Sequence, residues 1–140
     1  MTIAVDFDGT CVTHDFPNLG KDIGAAQVLK QLTDKGHQLI LWTMRSDVEQ
    51  PQSDNPDIHT VGGQYLQQAI DWFEGNDIPL WGIQTNPDQH QWTHSPKAYA
   101  QLYIDDAALG CPLKFKPEFD SRPFVDWVEV EKLLIQQGIL

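Results

Sequence analysis

The chain alternates short apolar runs with longer stretches in which apolar residues recur every three or four positions. The short runs predict buried strands, because strands covered on both faces are apolar throughout, and the longer stretches predict amphipathic helices. The predicted strands are residues 3–7, 38–43, 80–84 and 101–104, with a short edge strand at 111–115. The predicted helices are residues 23–35 (closed by Gly36), 61–75 and 122–137, with a further helix start at Ser95-Pro96-Lys97.

This order of elements predicts an α/β fold, in which a parallel sheet carries helices on both faces. A length of 140 residues is typical of one domain, and we expect residues 1–140 to form it. The two loops that follow the second and third strands, residues 46–60 and 85–94, should lie over the same edge of the sheet.

Charge narrows the classes of partner. Acidic residues outnumber basic ones 20 to 9, and the net charge of −11 argues against nucleic acid and against anionic membranes. The two cysteines are far apart, and neither a membrane-spanning apolar run nor a basic, apolar leader is evident. We therefore expect a soluble cytoplasmic protein.

Carboxylates follow two of the predicted strands directly. Asp6 and Asp8 come after the first strand, in the segment Asp6-Phe7-Asp8-Gly9-Thr10, and Asp105 and Asp106 come after the fourth. Because the carboxyl ends of parallel strands meet at one edge, these side chains should lie close together. Crowded carboxylates repel one another, and a hard cation such as Mg²⁺ relieves that repulsion.

Two further residues suit phosphoryl chemistry. Thr43 ends the second strand, and Lys97 precedes the fourth. A carboxylate can attack phosphorus to form an aspartyl phosphate, while a hydroxyl and an ammonium group hold the phosphoryl oxygens. A second carboxylate two residues after the first can protonate the leaving oxygen and later activate water. Arg45 either contacts substrate or is a solvated loop residue.

Taken in order, the motif Asp-x-Asp-Gly-Thr, the threonine, the lysine and the Asp-Asp pair resemble the haloacid dehalogenase-like (HAD) superfamily over residues 3–106. The resemblance implies a Rossmann-like three-layer α/β/α sandwich with a mostly parallel central sheet of about five strands. It also implies Mg²⁺-dependent phosphoryl transfer. Segments 11–21 and 85–96 are too short for a cap domain, as in small, capless, phosphatase-like bacterial members, whereas segment 46–60 departs from the pattern and would partly roof the site.

The resemblance also implies a role for each matching residue. Asp6 is the expected nucleophile and Asp8 the general acid and base. The expected metal ligands are the carboxylates of Asp6 and Asp105 and the backbone carbonyl of Asp8, while Asp106 either supports these ligands from behind or binds the metal through water. The residues expected to contact substrate are Gly9, Thr43, Arg45 and Lys97.

A carboxylate at Asp8 favours a phosphatase acting on a phosphorylated small molecule or on an exposed phosphate of a larger molecule. A phosphotransferase or mutase is the second reading, although it needs a means of excluding water. A non-catalytic phospho-acceptor domain and an inactive binding module are weaker readings, as is a zinc site built from His59, His90 and His94. A homo-oligomer stays open.

Overall fold

A computed structural model describes residues 1–48, 55 and 62–140 of the chain. Strands and helices alternate along these residues. The strands are β1 (Thr2–Val5), β2 (Gln38–Leu41), β3 (Asp47–Val48), β4 (Gly63–Gln64), β5 (Gly82–Ile83), β6 (Leu102–Ile104), β7 (Leu113–Lys114) and β8 (Phe124–Val125). The helices are α1 (Ala25–Asp34), α2 (Tyr65–Gly75) and α3 (Trp127–Gln136), with one 3₁₀ turn at Gln89–Gln91.

Four strands form a parallel central sheet in the order β5-β2-β1-β6. The register pairs Val5 of β1 with Leu41 of β2 and with Ile104 of β6, and each of these residues is the last of its strand. The carboxyl ends of these three strands therefore meet at one rim. The mixed α/β class and the parallel sheet are confirmed, and the arrangement is consistent with a Rossmann-like fold, with four strands where about five were expected.

All three helices pack against one face of this sheet. Their buried residues join one core cluster with Ile3, Val5 and Phe7, and these helix residues are Ala25, Val28, Leu29, Leu32, Ala69, Phe73, Trp127, Val130 and Leu134. Helix α1 ends as predicted, because Gly36 takes a left-handed φ of 90° and its N–H donates to the Thr33 carbonyl.

The opposite face carries a smaller cluster. Its buried residues are Ala4, Ile40 and Ala98, with Trp42, Trp81, Ala100 and Tyr103 packed against them. No helix covers this face within residues 1–48, 55 and 62–140, so the predicted second helical layer is not found there.

The predicted helix start at Ser95 is wrong, because side chains from the preceding turn bind the carbonyls of this segment. Gln89 Nε2 donates to the carbonyls of Ser95 and Lys97 at 2.9 and 3.0 Å, and Asn86 Nδ2 donates to that of Tyr99 at 2.9 Å. Such side-chain bonds compete with the backbone ladder of a helix. Residues 92–101 are consequently irregular.

Two antiparallel ribbons lie outside the central sheet, β3 with β4 and β7 with β8. The edge strand predicted at residues 111–115 is thus part of a separate ribbon. The closing helix starts at Trp127 and not at residue 122, because Phe124–Val125 pair with β7. Asp126 then caps α3, its carboxylate accepting from the N–H groups of Val128 and Glu129.

The loop predicted over residues 46–60 is described only in part. Its beginning forms β3, whereas residues 49–54 and 56–60, and with them the proposed roof and His59, lie outside the described residues. Residue 61, the predicted start of the second helix, lies outside them too, and α2 begins at Tyr65. Among the described helices, none combines the length and the apolar character needed to cross a membrane.

Candidate active site

Asp6 continues β1 at the rim of the sheet. Its N–H donates to the Ile104 carbonyl at 3.0 Å, so the pairing with β6 extends one residue beyond the strand and brings Asp6 beside Asp105. The Cys11 thiol donates to the Asp6 carbonyl at 3.2 Å. Complete burial raises the pKa of the Cys11 thiol well above its usual value, which makes this cysteine a neutral structural group.

Asp6, Asp105 and Asp106 form an acidic triad, in which one carboxylate oxygen from each lies within 4.8 Å of the others. Burial raises the pKa of Asp6 from 3.8 to about 7, and the negative charges of Asp105 and Asp106 add to that rise. Hydrogen bonds from the Phe7 N–H and the Thr10 hydroxyl act in the opposite direction. The triad alone is therefore electrostatically strained.

The triad fits a hard divalent cation. Carboxylate and carbonyl oxygens are the ligands that Mg²⁺ takes in proteins. No hydrogen bond from a described residue reaches the Asp8 backbone carbonyl, which leaves it free to act as the predicted ligand. Asp106 was expected to support the ligands from behind or to act through water, yet its carboxylate lies in the same cluster as that of Asp105.

Thr10 and His14 contact the carboxylates or backbone of the triad residues Asp6 and Asp106. The Thr10 hydroxyl donates to Asp6 Oδ2 at 2.9 Å and accepts from the Asp106 N–H at 3.1 Å. His14 Nε2 lies 3.2 Å from Asp106 Oδ2 and 3.2 Å from the Pro123 carbonyl oxygen. Because both neighbours are acceptors, Nε2 carries the proton.

Gly9 makes room for this arrangement. Its φ of 77° is left-handed, and a Cβ at this position would collide with the His14 imidazole and lie 2.9 Å from Asp106 Oδ2. The structure thus gives Gly9 a steric role, and its contact with substrate stays a prediction.

Asp8 is turned towards Arg45. Arg45 Nε donates to Asp8 Oδ2 at 2.8 Å, and Nη2 donates to Oδ1 at 2.7 Å. This paired geometry fixes the plane of the carboxylate as well as its position. Asp8 is still partly exposed, with 21% of its side chain accessible, so it can meet a ligand.

Every N–H of the Arg45 guanidinium has a protein acceptor. Besides Asp8, the acceptors are the carbonyls of Asn18 and Tyr65 and the side-chain oxygen of Gln68, at 2.8, 3.3 and 3.1 Å. Arg45 is only 2% exposed, so it is not a solvated loop residue. Its predicted contact with substrate stays a prediction, and no N–H is left over for it in this arrangement.

Two aromatic rings lie close to the same guanidinium. Arg45 Cζ lies 5.0 Å from the centre of the Phe7 ring and 5.2 Å from that of Phe16. Both distances allow cation–π attraction. These rings and the five hydrogen bonds together fix the position of the Arg45 guanidinium, which in turn orients the Asp8 carboxylate.

Thr43 lies at the rim where β2 ends, next to Gln84. The Thr43 N–H donates to Gln84 Oε1 at 3.0 Å, and Gln84 Nε2 donates back to the Thr43 carbonyl at 2.6 Å. The Thr43 hydroxyl oxygen accepts from the Arg45 N–H at 3.1 Å. The hydroxyl proton thus remains available to donate to a bound oxygen.

Lys97 lies apart from these residues. Its ammonium is 5.9 Å from the centre of the Tyr103 ring. Tyr103 pairs with Ala4 of the neighbouring strand β1, so their side chains lie on the same face of the sheet. Asp6 is two residues after Ala4, and side chains two residues apart on a strand share a face. Lys97 is therefore on the face of the sheet to which Asp6 belongs, but it lines neither of the two clefts at the rim.

The first of these clefts, the acidic cleft, has a volume of about 360 Å³ and is lined by Asp6, Trp42, Thr43, Met44, Gln84 and Asp105. The second, the arginine cleft, has a volume of about 520 Å³ and is lined by Asp8, His14, Asp15, Phe16, Met44, Arg45, Ser121 and Arg122. Met44 lines both, so the two clefts adjoin. The proposed nucleophile and the proposed acid and base thus face neighbouring spaces.

A solved structure of a conserved protein from Bacteroides thetaiotaomicron is similar to this one. The two are 31% identical, the match covers 98% of this chain and 91% of the other, and the TM-score is 0.70. The chain belongs to the family of this protein. No protein-family model and no curated protein matches the chain. The likeness establishes shared ancestry and fold, and it names no activity for the family.

Three residues of this family member's site were missed by the sequence analysis. Gln84 could have been found, because it ends a predicted strand at the same rim as Thr43. Thr10 belongs to the motif but had no assigned role. His14 carried no signal, since its partner Asp106 is distant in sequence and the contact depends on the intervening fold.

Nothing in the described part of the chain supports the alternative zinc site at the histidines. Asp6, Asp105 and Asp106 are the metal-competent group there, and it contains no histidine. His90 Nδ1 instead lies 2.9 Å from the Pro87 carbonyl oxygen.

Proposed function

We propose that the protein is a Mg²⁺-dependent, HAD-like phosphatase that hydrolyses a phosphate monoester through an aspartyl phosphate on Asp6. The proposal rests on one observation, that two groups of side chains lie next to each other. A triad of crowded carboxylates adjoins a second carboxylate, Asp8, whose position is fixed by an arginine with no free N–H. A metal site alone needs no such oriented partner, whereas general acid–base catalysis does.

In the first step, a carboxylate oxygen of Asp6 attacks phosphorus and the ester P–O bond breaks. In the proposed cycle Asp8 enters this step protonated, on a lone pair that does not accept from Arg45, and gives that proton to the leaving oxygen, so the alcohol departs neutral. Thr43 donates its hydroxyl proton to a phosphoryl oxygen, and Lys97 supplies the positive charge that the resemblance assigns to it. Mg²⁺ held by Asp6, Asp105, Asp106 and the Asp8 carbonyl would neutralise charge at the phosphoryl group.

In the second step, water attacks the aspartyl phosphate at phosphorus. Asp8 takes a proton from that water, and the bond between phosphorus and the Asp6 oxygen breaks. Inorganic phosphate leaves and both carboxyl groups return to their starting states, so the cycle balances without a further reactant.

The absence of a cap in the sequence favours hydrolysis over transfer to a second substrate, because water reaches an open cleft. We propose a phosphorylated molecule as the partner and the cytoplasm as the location. The acidic surface disfavours nucleic acid and membranes, and self-association is left for measurement.

The direct test is turnover of p-nitrophenyl phosphate. We expect hydrolysis that requires Mg²⁺, stops on chelation and disappears in Asp6→Asn. Asp8→Asn should lower the rate about 10²–10⁴-fold. The matched control is Asp88→Asn, which removes an exposed carboxylate outside both clefts.

Hydrolysis that persists after chelation, or that persists in Asp6→Asn, would contradict the proposal. One stoichiometric, long-lived acyl phosphate without turnover would instead identify a phospho-acceptor domain. Formation of a phosphorylated second substrate in place of inorganic phosphate would identify a phosphotransferase.

A further inference from the structure

The chain has only two arginines, Arg45 and Arg122, and both line the arginine cleft. They come from distant parts of the sequence, one after β2 and the other just before β8. The same lining holds two aspartates, Asp8 and Asp15, so the cleft is formally neutral in a protein of net charge −11, and Arg45 is already paired with Asp8. Arginine is the side chain best suited to bind a planar anion, because its N–H groups form a rigid fork.

The two arginines differ in what they contact. All the N–H groups of Arg45 are taken by protein acceptors, as described above. The Arg122 side chain is exposed and makes no salt bridge or hydrogen bond with any residue in the described part of the chain. Its backbone, by contrast, is fixed, since the Arg122 N–H donates to Asp120 Oδ1 at 3.0 Å.

The rest of the cleft is apolar on one side. Phe16 is 55% exposed and Met44 is 97% exposed, and both line the cleft beside Asp8. Exposed aromatic and thioether side chains bordering a cleft are suited to bind the apolar part of a ligand. The volume of about 520 Å³ lies within the range of small-molecule sites.

The leaving group of the proposed reaction has to depart on the side of Asp8, which protonates it, and Asp8 faces the arginine cleft. We propose that the arginine cleft binds the leaving group of the substrate, and that Arg122 binds a second anionic group on it. The inference rests on the proposed function. It narrows the substrate to a small phosphate monoester whose organic part combines an apolar portion with a carboxylate or similar anion.

Two esters of nearly equal size test this assignment, 3-carboxyphenyl phosphate and its neutral counterpart 3-carbamoylphenyl phosphate. We expect wild type to prefer the carboxylate ester by about tenfold or more in kcat/KM, as a charge-assisted hydrogen bond implies. In Arg122→Gln the preference should disappear because kcat/KM falls for the carboxylate ester and stays the same for the neutral ester. Arg122→Lys should keep part of it, because the charge remains while the fork is lost.

Lys35→Gln is the matched control, since it removes the same charge from an exposed residue outside the cleft. It should leave the preference unchanged. Equal turnover of the two esters by wild type would overturn the proposal. An equal loss for both esters in Arg122→Gln would overturn it too, because Arg122 would then bind the transferred phosphoryl group.

Binding separates this inference from the proposed function. The non-hydrolysable probes are 3-carboxybenzylphosphonate and 3-carbamoylbenzylphosphonate, titrated calorimetrically with Mg²⁺ present. Tighter binding of the carboxylate probe, lost in Arg122→Gln, supports the cleft assignment even if neither ester is hydrolysed, and in that case only the phosphatase proposal fails. Equal binding of the two probes counts against the cleft assignment.

Discussion

Replacing Asp6 with asparagine should make the metal-free protein more stable at alkaline pH. Burial raises the pKa of Asp6 to about 7 in the folded state, against 3.8 for an unperturbed group. The fold therefore disfavours the ionised carboxylate. This penalty is absent below pH 4, grows between pH 4 and 7, and is fully present above pH 7.

The magnitude follows from the shift. About three pKa units at 1.36 kcal/mol each correspond to an upper limit of roughly 4 kcal/mol. Because Asp6 is partly exposed, solvent reduces this figure, and we expect about 2–3 kcal/mol. An asparagine has nearly the size of the aspartate without its negative charge, and it keeps an oxygen that can accept from the Thr10 hydroxyl.

Urea unfolding of wild type and Asp6→Asn, with a chelator at pH 4.5 and at pH 8, measures the effect. The variant should be more stable by at most about 1 kcal/mol at pH 4.5 and by the full amount at pH 8. Adding Mg²⁺ at pH 8 should stabilise wild type by about 2.7 kcal/mol at a hundred times its Kd, and the variant by less. Asp88→Asn controls for the loss of one negative charge.

A variant that is no more stable than wild type at pH 8 in chelator would refute the reasoning. The triad would then not be strained in the folded protein, and it would need no cation to relieve repulsion between its carboxylates.

Arg45→Met should lower the free energy of unfolding by about 3–5 kcal/mol, because it leaves the Asp8 carboxylate unpaired, and Arg45→Lys should lower it by less. Equal urea midpoints for wild type and both variants would contradict this. Gly9→Ala should lose more than the ~1–2 kcal/mol expected for a left-handed residue, since its Cβ meets His14. Gly36→Ala has the same backbone strain with open space around it, so thermal unfolding of the two variants isolates the collision. Lys97→Ala should lower kcat/KM for p-nitrophenyl phosphate at least about tenfold with little change in stability, and an unchanged kcat/KM would remove Lys97 from the site.

Sequence reasoning succeeded where one geometric rule applies. Asp6, Thr43 and Asp105 were placed at one rim because parallel strands bring their carboxyl ends together, and that rule needs no knowledge of individual contacts. In the structure Asp6 and Asp105 directly follow the last residues of β1 and β6, and Thr43 lies two residues after the end of β2. The observed ends of β1 and β2 lie two residues before the predicted ends, yet Asp6, Thr43 and Asp105 all remain at the rim.

It failed where contacts distant in sequence decide the local structure. Ser95-Pro96 is a sound helix start by local criteria, yet hydrogen bonds from Asn86 and Gln89 hold the segment open. The burial of Arg45 depends on acceptors from several separate segments, which no local pattern reveals. The position of Lys97 depends on the same irregular segment, and so it was the least predictable of the site residues.

The alternation of side chains along residues 3–8 divides two tasks between neighbouring positions. Ile3, Val5 and Phe7 belong to the helix-covered core, while Asp6 and Asp8 belong to the clefts. A saturation-mutagenesis survey of this segment should therefore show a two-residue rhythm, with odd positions governing cellular abundance and positions 6 and 8 governing catalysis per folded molecule. Natural selection can retune the chemistry of this hexapeptide without disturbing the packing that supports it.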